Sequence, residues 1–259
     1  MMKKLKKPLL IILIALASLL LLAVLLGVLN ATVGGGEWTF GWTDYRYDDG
    51  GYSVGSATVY AEGITALDVD WLDGTVEIVI CQDYYPSVSE RVSSDASEST
   101  QMRHRVSDDG KTLLIKHRAP SVFFGNGTEE GKHLIVRIPE RMLSQMQSLR
   151  IKAVSAEIVV DDIPFAEVVA ESRSGDVTLH LGTQTRQAAV TARRGDVTLL
   201  VDQAPSFSLS YESDKNKTPT LDVFCERIDG KYVCGEGKSA VSVHTADGEL
   251  WVAIKKSNR

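Results

Sequence analysis

A short sequence unit recurs along this chain at an interval of about twenty residues. Ser174–Leu179 reads SGDVTL, and Arg194–Leu199 reads RGDVTL twenty positions later, with no gap between the two copies. A unit of this length cannot bury an apolar face alone, so its copies must stack on one another. The repeat therefore constrains the fold to a layered β structure.

Three more copies fit the same frame, at residues 69–78, 151–160 and 243–252. Each copy has a short strand of alternating apolar and polar residues, a corner of small and polar residues with glycine (alanine once), and a second strand of the same alternating kind. Glycine suits the corner because the chain bends there. No stretch between copies is long enough for a helix of the usual length. The pattern predicts an all-β, single-stranded β-solenoid-like (parallel β-helix-like) domain, with the basic tail 255–259 protecting one end of the stack.

An apolar run precedes the repeats. Leu9–Leu29 contains no charged residue, and as a helix it would reach about 31 Å, enough to cross a bilayer core of about 30 Å. Four lysines precede it, at positions 3, 4, 6 and 7. Because positive residues stay in the cytoplasm, the C-terminal domain is predicted to lie outside. The run is longer than the apolar region of a cleaved signal peptide, the alternative reading.

These features predict four segments. Residues 1–8 form a short cytoplasmic basic segment, and 9–29 form a single-pass transmembrane helix at the cell membrane. Residues 30–57, rich in glycine and aromatic residues, form a juxtamembrane linker. Residues 58–259 form the extracytoplasmic domain. Residues 31–259 hold 24 basic and 34 acidic residues, a net charge of −10, which excludes nucleic acid as the expected partner.

A hairpin insertion at about 214–237 interrupts the repeats. Asp229-Gly230 suits a two-residue type I′ turn. Counting outward from that turn, Cys225 faces Cys234 at a non-hydrogen-bonded pair, where the Cα atoms lie about 4.5 Å apart. That spacing predicts a disulfide between them.

No catalytic, cofactor-binding or metal-binding site is predicted. Arg194-Gly195-Asp196 forms the tripeptide that integrins recognise, but the repeat already explains the glycine and the aspartate. It is kept as a weak adhesion candidate. The five histidines have no zincin-type spacing. A glycan-active enzyme would need clustered acids, for which Asp68, Asp70 and the corner acids are the candidates.

The corner units, together with Leu134–Pro139 (LIVRIP), resemble the bacterial putative-adhesin family, a β-strand-repeat domain of unknown function. The resemblance covers about Thr58 to Ile254. It implies a β-solenoid-like fold at the bacterial envelope, sometimes behind a membrane helix, and it implies no catalytic residues. Some relatives are linked to envelope-stress signalling.

Three functions follow as hypotheses. The first is a non-enzymatic, membrane-anchored surface protein, an adhesin or a module that binds an envelope polymer. The second is an accessory regulator of envelope-stress signalling that contacts a membrane signalling protein through its transmembrane helix. The third is a glycan-active enzyme.

Overall fold

The computed structural model describes residues 50–91, 101–118, 131–160 and 165–255. These residues form an all-β fold with one short 3₁₀ helix. The predicted basic segment, the membrane helix 9–29 and most of the linker 30–57 lie outside the described residues. Within the described ranges, no helix is long and apolar enough to cross a membrane.

The first nine strands are β1 Ser53–Val54, β2 Ala57–Thr58, β3 Ala66–Cys81, β4 Ser87–Arg91, β5 Arg103–Val106, β6 Thr112–Lys116, β7 His133–Pro139, β8 Ser148–Val160 and β9 Glu167–Ser172. The remaining strands are β10 Val177–Leu181, β11 Gln187–Ala192, β12 Val197–Val201, β13 Phe207–Ser213, β14 Thr220–Leu221, β15 Glu226–Ile228, β16 Lys231–Cys234, β17 Ser239–Thr245 and β18 Leu250–Ile254. Strand β1 and the start of β2 fall within the stretch that the sequence marks as linker, and they pair with β5 and β4.

The strands stack into two faces that meet at a corner. Face A runs in the order β1, β5, β6, β3, β8, β9, β11, β17, β13, β16, β15. Face B runs in the order β2, β4, β7, β3, β8, β10, β12, β18, β14. Strands β3 and β8 are long enough to belong to both faces. The central rungs are parallel, and both faces carry antiparallel strands at the β1/β2 end.

Buried and partly exposed residues alternate along each strand, and the buried ones form the core between the two faces. In β10 and β12, the residues at the first, third and fifth positions are buried, and those between them are partly exposed. Parallel pairing places Val177 beside Val197 and Leu179 beside Leu199. Identical apolar side chains therefore form continuous columns from rung to rung, which removes their surface from water at about 25 cal/mol per Å².

The corner glycines are required by the neighbouring rung. A Cβ atom added to Gly175 would overlap the carbonyl oxygen of Ala156, and one added to Gly195 would overlap that of Gly175. Gly248 lies against Gly195 in the same way. None of these three has a positive φ, so the bend itself would accept other residues. Close approach of stacked backbones explains the glycine of the repeat.

The rungs do not stack in sequence order. Strands β17 and β18, the last copy of the repeat, pair with β11 and β12 on one side and with β13 and β14 on the other. Strand β13, Phe207–Ser213, opens a rung that lies beyond the C-terminal copy. Residues 256–259 lie outside the described residues, so protection of one end by the basic tail stays a prediction.

One short helix lies between β7 and β8, the six-residue 3₁₀ helix Glu140–Gln145. Pro139 precedes it, and no side chain caps its first turn. Buried Met142 fixes it to the core.

Candidate functional site

The predicted adhesion tripeptide lies at the corner of one rung. Arg194 and Asp196 are exposed, and Gly195 is buried beneath Gly248. The backbone N–H of Asp196 donates to Oδ1 of Asp176 at 2.8 Å, and the N–H of Glu249 donates to Oδ1 of Asp196 at 2.8 Å. Each corner carboxylate therefore joins its own rung to the next. This structural role accounts for the aspartate at the repeated position, and adhesion through the tripeptide stays a prediction.

Four of the five described histidines pair with a carboxylate. Nε2 lies 3.0 to 3.1 Å from a carboxylate oxygen in four pairs: His117–Asp73, His133–Glu77, His180–Asp202 and His244–Asp214. Over the described ranges, no group of three or more His, Cys, Asp or Glu side chains could hold a metal ion.

The hairpin insertion extends face A beyond its last parallel strand. A disulfide joins Cys225 to Cys234, with the Cα atoms 4.3 Å apart. Ile228 faces Lys231 in the antiparallel register that the Asp229-Gly230 turn dictates. Strand β16 then pairs with β13, where Cys234 faces Phe207. The hairpin thus covers the edge of β13 with two short strands, which limits edge-to-edge pairing.

A group of charged side chains lies on the outer surface of face A. We call it the basic strip, and it consists of Arg105, Lys116, Arg150, Lys152, Asp68 and Asp70. The register places Asp68 between Leu114 and Arg150, and Asp70 between Lys116 and Lys152. Arg105 lies on β5, opposite Leu114.

Tyr52 contacts the strip from the segment before β1. Its ring centroid lies 5.0 Å from Cζ of Arg105 and 5.3 Å from Nζ of Lys116, which are cation–π distances. Tyr52 and strip residues of β3, β6 and β8 line a shallow cavity of about 230 Å³. This is smaller than the usual pocket for a small molecule, about 300–1,000 Å³. The shape therefore suits a segment of a larger ligand.

The strip carries an excess of positive charge on an acidic chain. It holds four bases and two acids, whereas the whole chain has a formal net charge of −6. Burial raises the pKa of Asp70 even though Lys152 and Lys116 act to lower it. The carboxyl group of Asp70 is thus desolvated beside two lysines.

The structure separates the two sets of acids that the sequence offers for a glycan-active enzyme. Asp68 and Asp70 lie on face A among the cations, whereas Asp176 and Asp196 lie at the corner and bond to backbone N–H groups. The four basic residues of the strip are not among the candidates predicted from the sequence. Their spacing could have indicated them. Arg150 and Lys152 are two residues apart, as are Asp68 and Asp70, and residues two apart on a strand point to the same side of the sheet. Alignment of β3 with β8 therefore places all four on the outer surface.

Comparison with known proteins agrees with the repeat architecture. The family model described as Toastrack DUF4097 matches residues 64–218, more than half of the chain. A solved structure of a "putative cell adhesion protein" from Clostridium sporogenes superposes with a TM-score of 0.62 at 12% identity, covering 79% of this chain and 100% of that one. A "putative adhesin" from Bacteroides fragilis gives a TM-score of 0.32 at 7% identity, over 78% of this chain and 97% of its own.

The superposition on the Clostridium sporogenes protein shows the fold, and the family match confirms the predicted β-repeat domain. The second superposition is too weak to support an argument. A search of curated proteins found no match.

Proposed function

The chain belongs to the Toastrack DUF4097 family, and we propose that it is a membrane-anchored, extracytoplasmic binding protein without enzymatic activity. Its ligand in this proposal is an anionic polymer of the cell envelope, held against the basic strip. The name of the Clostridium sporogenes relative, a cell adhesion protein, supports a role at the surface.

The basic strip is the observation that carries the proposed ligand class. Arg105, Lys116, Arg150 and Lys152 project from adjacent strands of one flat face. Elsewhere, the excess of acidic residues repels an anion, so the field of the domain directs such a ligand to the strip. Arginine and lysine are the usual partners of carboxylate and phosphate groups.

Two features support the proposed location. Leu9–Leu29 is long enough for a membrane anchor, and the four lysines before it favour an external domain. The disulfide between Cys225 and Cys234 fits an oxidising compartment, since such bonds are rare in the cytosol. Location and ligand are thus proposed on separate grounds.

Binding to defined polymers tests the ligand class. The full-length protein in nanodiscs of neutral lipid would be titrated with poly(glycerol phosphate), polygalacturonate and dextran, which carry phosphates, carboxylates and no charge. We expect the first or second to bind and dextran to fail. The double variant Arg150→Gln/Lys152→Gln should lose about tenfold in affinity, the equivalent of about 1.4 kcal/mol. Added salt should weaken binding, because the strip is exposed.

The matched control removes the same charge elsewhere. Lys215 and Lys238 are exposed, outside the strip, and each pairs with an acid on the surface. The variant Lys215→Gln/Lys238→Gln should bind as the unmodified protein does. Equal losses in the two double variants, or equal binding of dextran, would overturn the proposed ligand site.

Topology is tested separately, with a protease added to intact cells. The proposal expects the β domain to be cleaved away, and complete protection would overturn the external location. Crosslinking from positions within 9–29 addresses the route of any signal. A reproducible crosslink to one membrane protein would favour the regulatory hypothesis over that of a surface binding protein.

A further inference from the structure

Two exposed tyrosines and a third that is partly buried form a second surface feature, apart from the basic strip. We call Tyr60, Tyr84, Tyr85 and Arg141 the tyrosine cluster. Tyr60 follows β2, Tyr84 and Tyr85 lie between β3 and β4, and Arg141 lies in the 3₁₀ helix. Strands β2 and β4 belong to face B, whereas the strip lies on face A. The cluster is therefore a separate surface.

The rings hold one another in a fixed arrangement. The centroid of Tyr85 lies 5.2 Å from that of Tyr60 and 4.8 Å from that of Tyr84, both in edge-to-face geometry. Cζ of Arg141 lies 3.7 Å from the Tyr84 centroid, and its Nε–H donates to the carbonyl oxygen of Tyr84 at 2.8 Å. A ligand would meet side chains that are already ordered, so binding would lose less entropy.

The core does not account for these rings. The side chain of Tyr60 is 81% exposed and that of Tyr84 is 58% exposed. Buried Val59 and Met142, neighbours of Tyr60 and Arg141 in sequence, already fix the backbone on both sides of the cluster. Tyrosine and arginine are also the residues most enriched among those that dominate protein–protein binding energy.

The charges around the cluster specify the chemistry of the partner. Glu62, Asp83 and Glu140 are exposed: Glu62 and Asp83 lie beside the tyrosines in sequence, and Glu140 precedes Arg141, the cation of the cluster. The stacking of Arg141 on Tyr84 shows that a guanidinium group fits the face of these rings. We propose that the tyrosine cluster is a docking surface for a protein segment that presents arginine or lysine side chains.

This chemistry separates the proposal from other occupants. An anionic partner would be repelled by the three carboxylates. A neutral glycan could stack on the tyrosines, but its affinity would not depend on Glu62 or Asp83 as charges. Dependence on both the rings and the carboxylates is therefore the signature of a basic protein segment.

The test uses the full-length protein in nanodiscs of neutral lipid and a defined probe. The probe is a fluorescently labelled peptide with four arginines that alternate with glycine, and binding is measured by fluorescence anisotropy. A peptide with four glutamates and unlabelled maltohexaose as a competitor are the comparison ligands. We expect the arginine peptide to bind, the glutamate peptide to fail, and maltohexaose to leave the anisotropy unchanged.

Two double variants should weaken the arginine peptide about tenfold. Tyr60→Ala/Tyr84→Ala removes exposed rings, and Glu62→Gln/Asp83→Asn removes the charges. The matched controls are Phe224→Ala, an exposed aromatic side chain, and Glu212→Gln/Glu226→Gln, two exposed acids on β13 and β15. Both controls should bind as the unmodified protein does, and thermal unfolding should show that all four variants are folded.

The outcomes are distinct from those for the basic strip, because none of these variants touches the strip. Losses of the same size in the controls would mean non-specific attraction to an acidic domain and would overturn the proposal. Displacement of the peptide by maltohexaose, or tyrosine-dependent binding that ignores the two carboxylates, would also overturn it. Displacement by maltohexaose would assign the surface to a glycan instead.

Discussion

The middle rungs and the β6/β7 end of the stack are held together in different ways. From β9 to β12, each rung has the same three features: a column of aliphatic side chains, a corner glycine and a carboxylate that accepts a hydrogen bond from the next rung. Toward β6 and β7, the corresponding corner holds Trp71 and a group of buried polar side chains. A rung between two other copies of the repeat is held by stacked apolar side chains and backbone contacts. Where the copies stop, buried polar side chains take over that role.

The β6/β7 end depends on a buried ion pair. Nζ of Lys132 lies 3.0 Å from Oε1 of Glu90, and the two side chains are only 3% and 4% exposed. Nζ also donates to the carbonyl oxygen of Arg118, and Oε2 of Glu90 accepts the backbone N–H of Met102. The indole N–H of Trp71 donates to the carbonyl oxygen of Lys132. One lysine thus ties together segments that are far apart in sequence.

The largest effect is expected from breaking this pair. Lys132→Met leaves the carboxylate of Glu90 buried without its counter-charge, which should lower the free energy of unfolding by about 3–5 kcal/mol. Denaturant unfolding of the full-length protein measures the change. Adding Glu90→Gln should restore most of the loss, because the amide carries no charge and can still accept the N–H of Met102. If Lys132→Met alone has no effect, the end does not depend on the pair.

A smaller effect is expected from the corner of a middle rung. Gly195→Ala places a Cβ atom against the carbonyl oxygen of Gly175, and the stacked backbones must move apart. We expect a loss of about 1–3 kcal/mol in the free energy of unfolding, as for other overpacked sites. Ser174→Ala is the control, since Ser174 is exposed, and it should change stability by less than about 0.5 kcal/mol. Equal stability of the two variants would refute close backbone approach as the reason for the glycine.

The smallest effects are expected from two aspartates of β3. A hydrogen bond from His117 lowers the pKa of Asp73 below its ordinary value of 3.8, whereas burial raises the pKa of Asp70. Ionised Asp73 therefore stabilises the fold above pH 3.8, and this contribution is lost as pH falls through its lower folded pKa. Ionised Asp70 lowers stability above its raised pKa, and that cost disappears at acid pH.

Two variants therefore have opposite signs at pH 7. Asp73→Asn should lower stability and Asp70→Asn should raise it, each by less than about 1 kcal/mol, because both groups are partly exposed. Unfolding curves at pH 7 and below pH 3 would measure both. The two differences from the unmodified protein should shrink at the acid pH. The same sign for both variants at pH 7 would contradict this account.

The sequence predicts the parts of the fold that are local or periodic. The repeat at 174–179 and 194–199 predicts the parallel pairing of β10 with β12, and Asp229-Gly230 predicts the register of the hairpin. Both follow from chemistry within a few residues. The family resemblance rests on the same periodic pattern.

The remaining parts of the fold could not be predicted, because they depend on pairing between strands that are far apart in sequence. Every copy of the repeat presents similar edges, so nothing in residues 243–252 indicates that this copy lies inside the stack. Lys132 reads as an exposed strand-end lysine until Glu90 is placed beside it. The basic strip has the same difficulty, because Arg105 and Lys152 meet only through the register of four strands. The period of two could predict their outward direction but not their neighbours.

The position of the last repeat also affects the order in which the domain can be completed. Strands β13 and β14 leave the ribosome before β17 and β18, yet they pair in parallel only with those later strands. Until then, the edges of β11 and β12 remain open to other chains. A chain that stopped near residue 237 would lose the pairing of two rungs at once. Completion of the stack thus waits for β17 and β18, which fill the gap between strands that are made earlier.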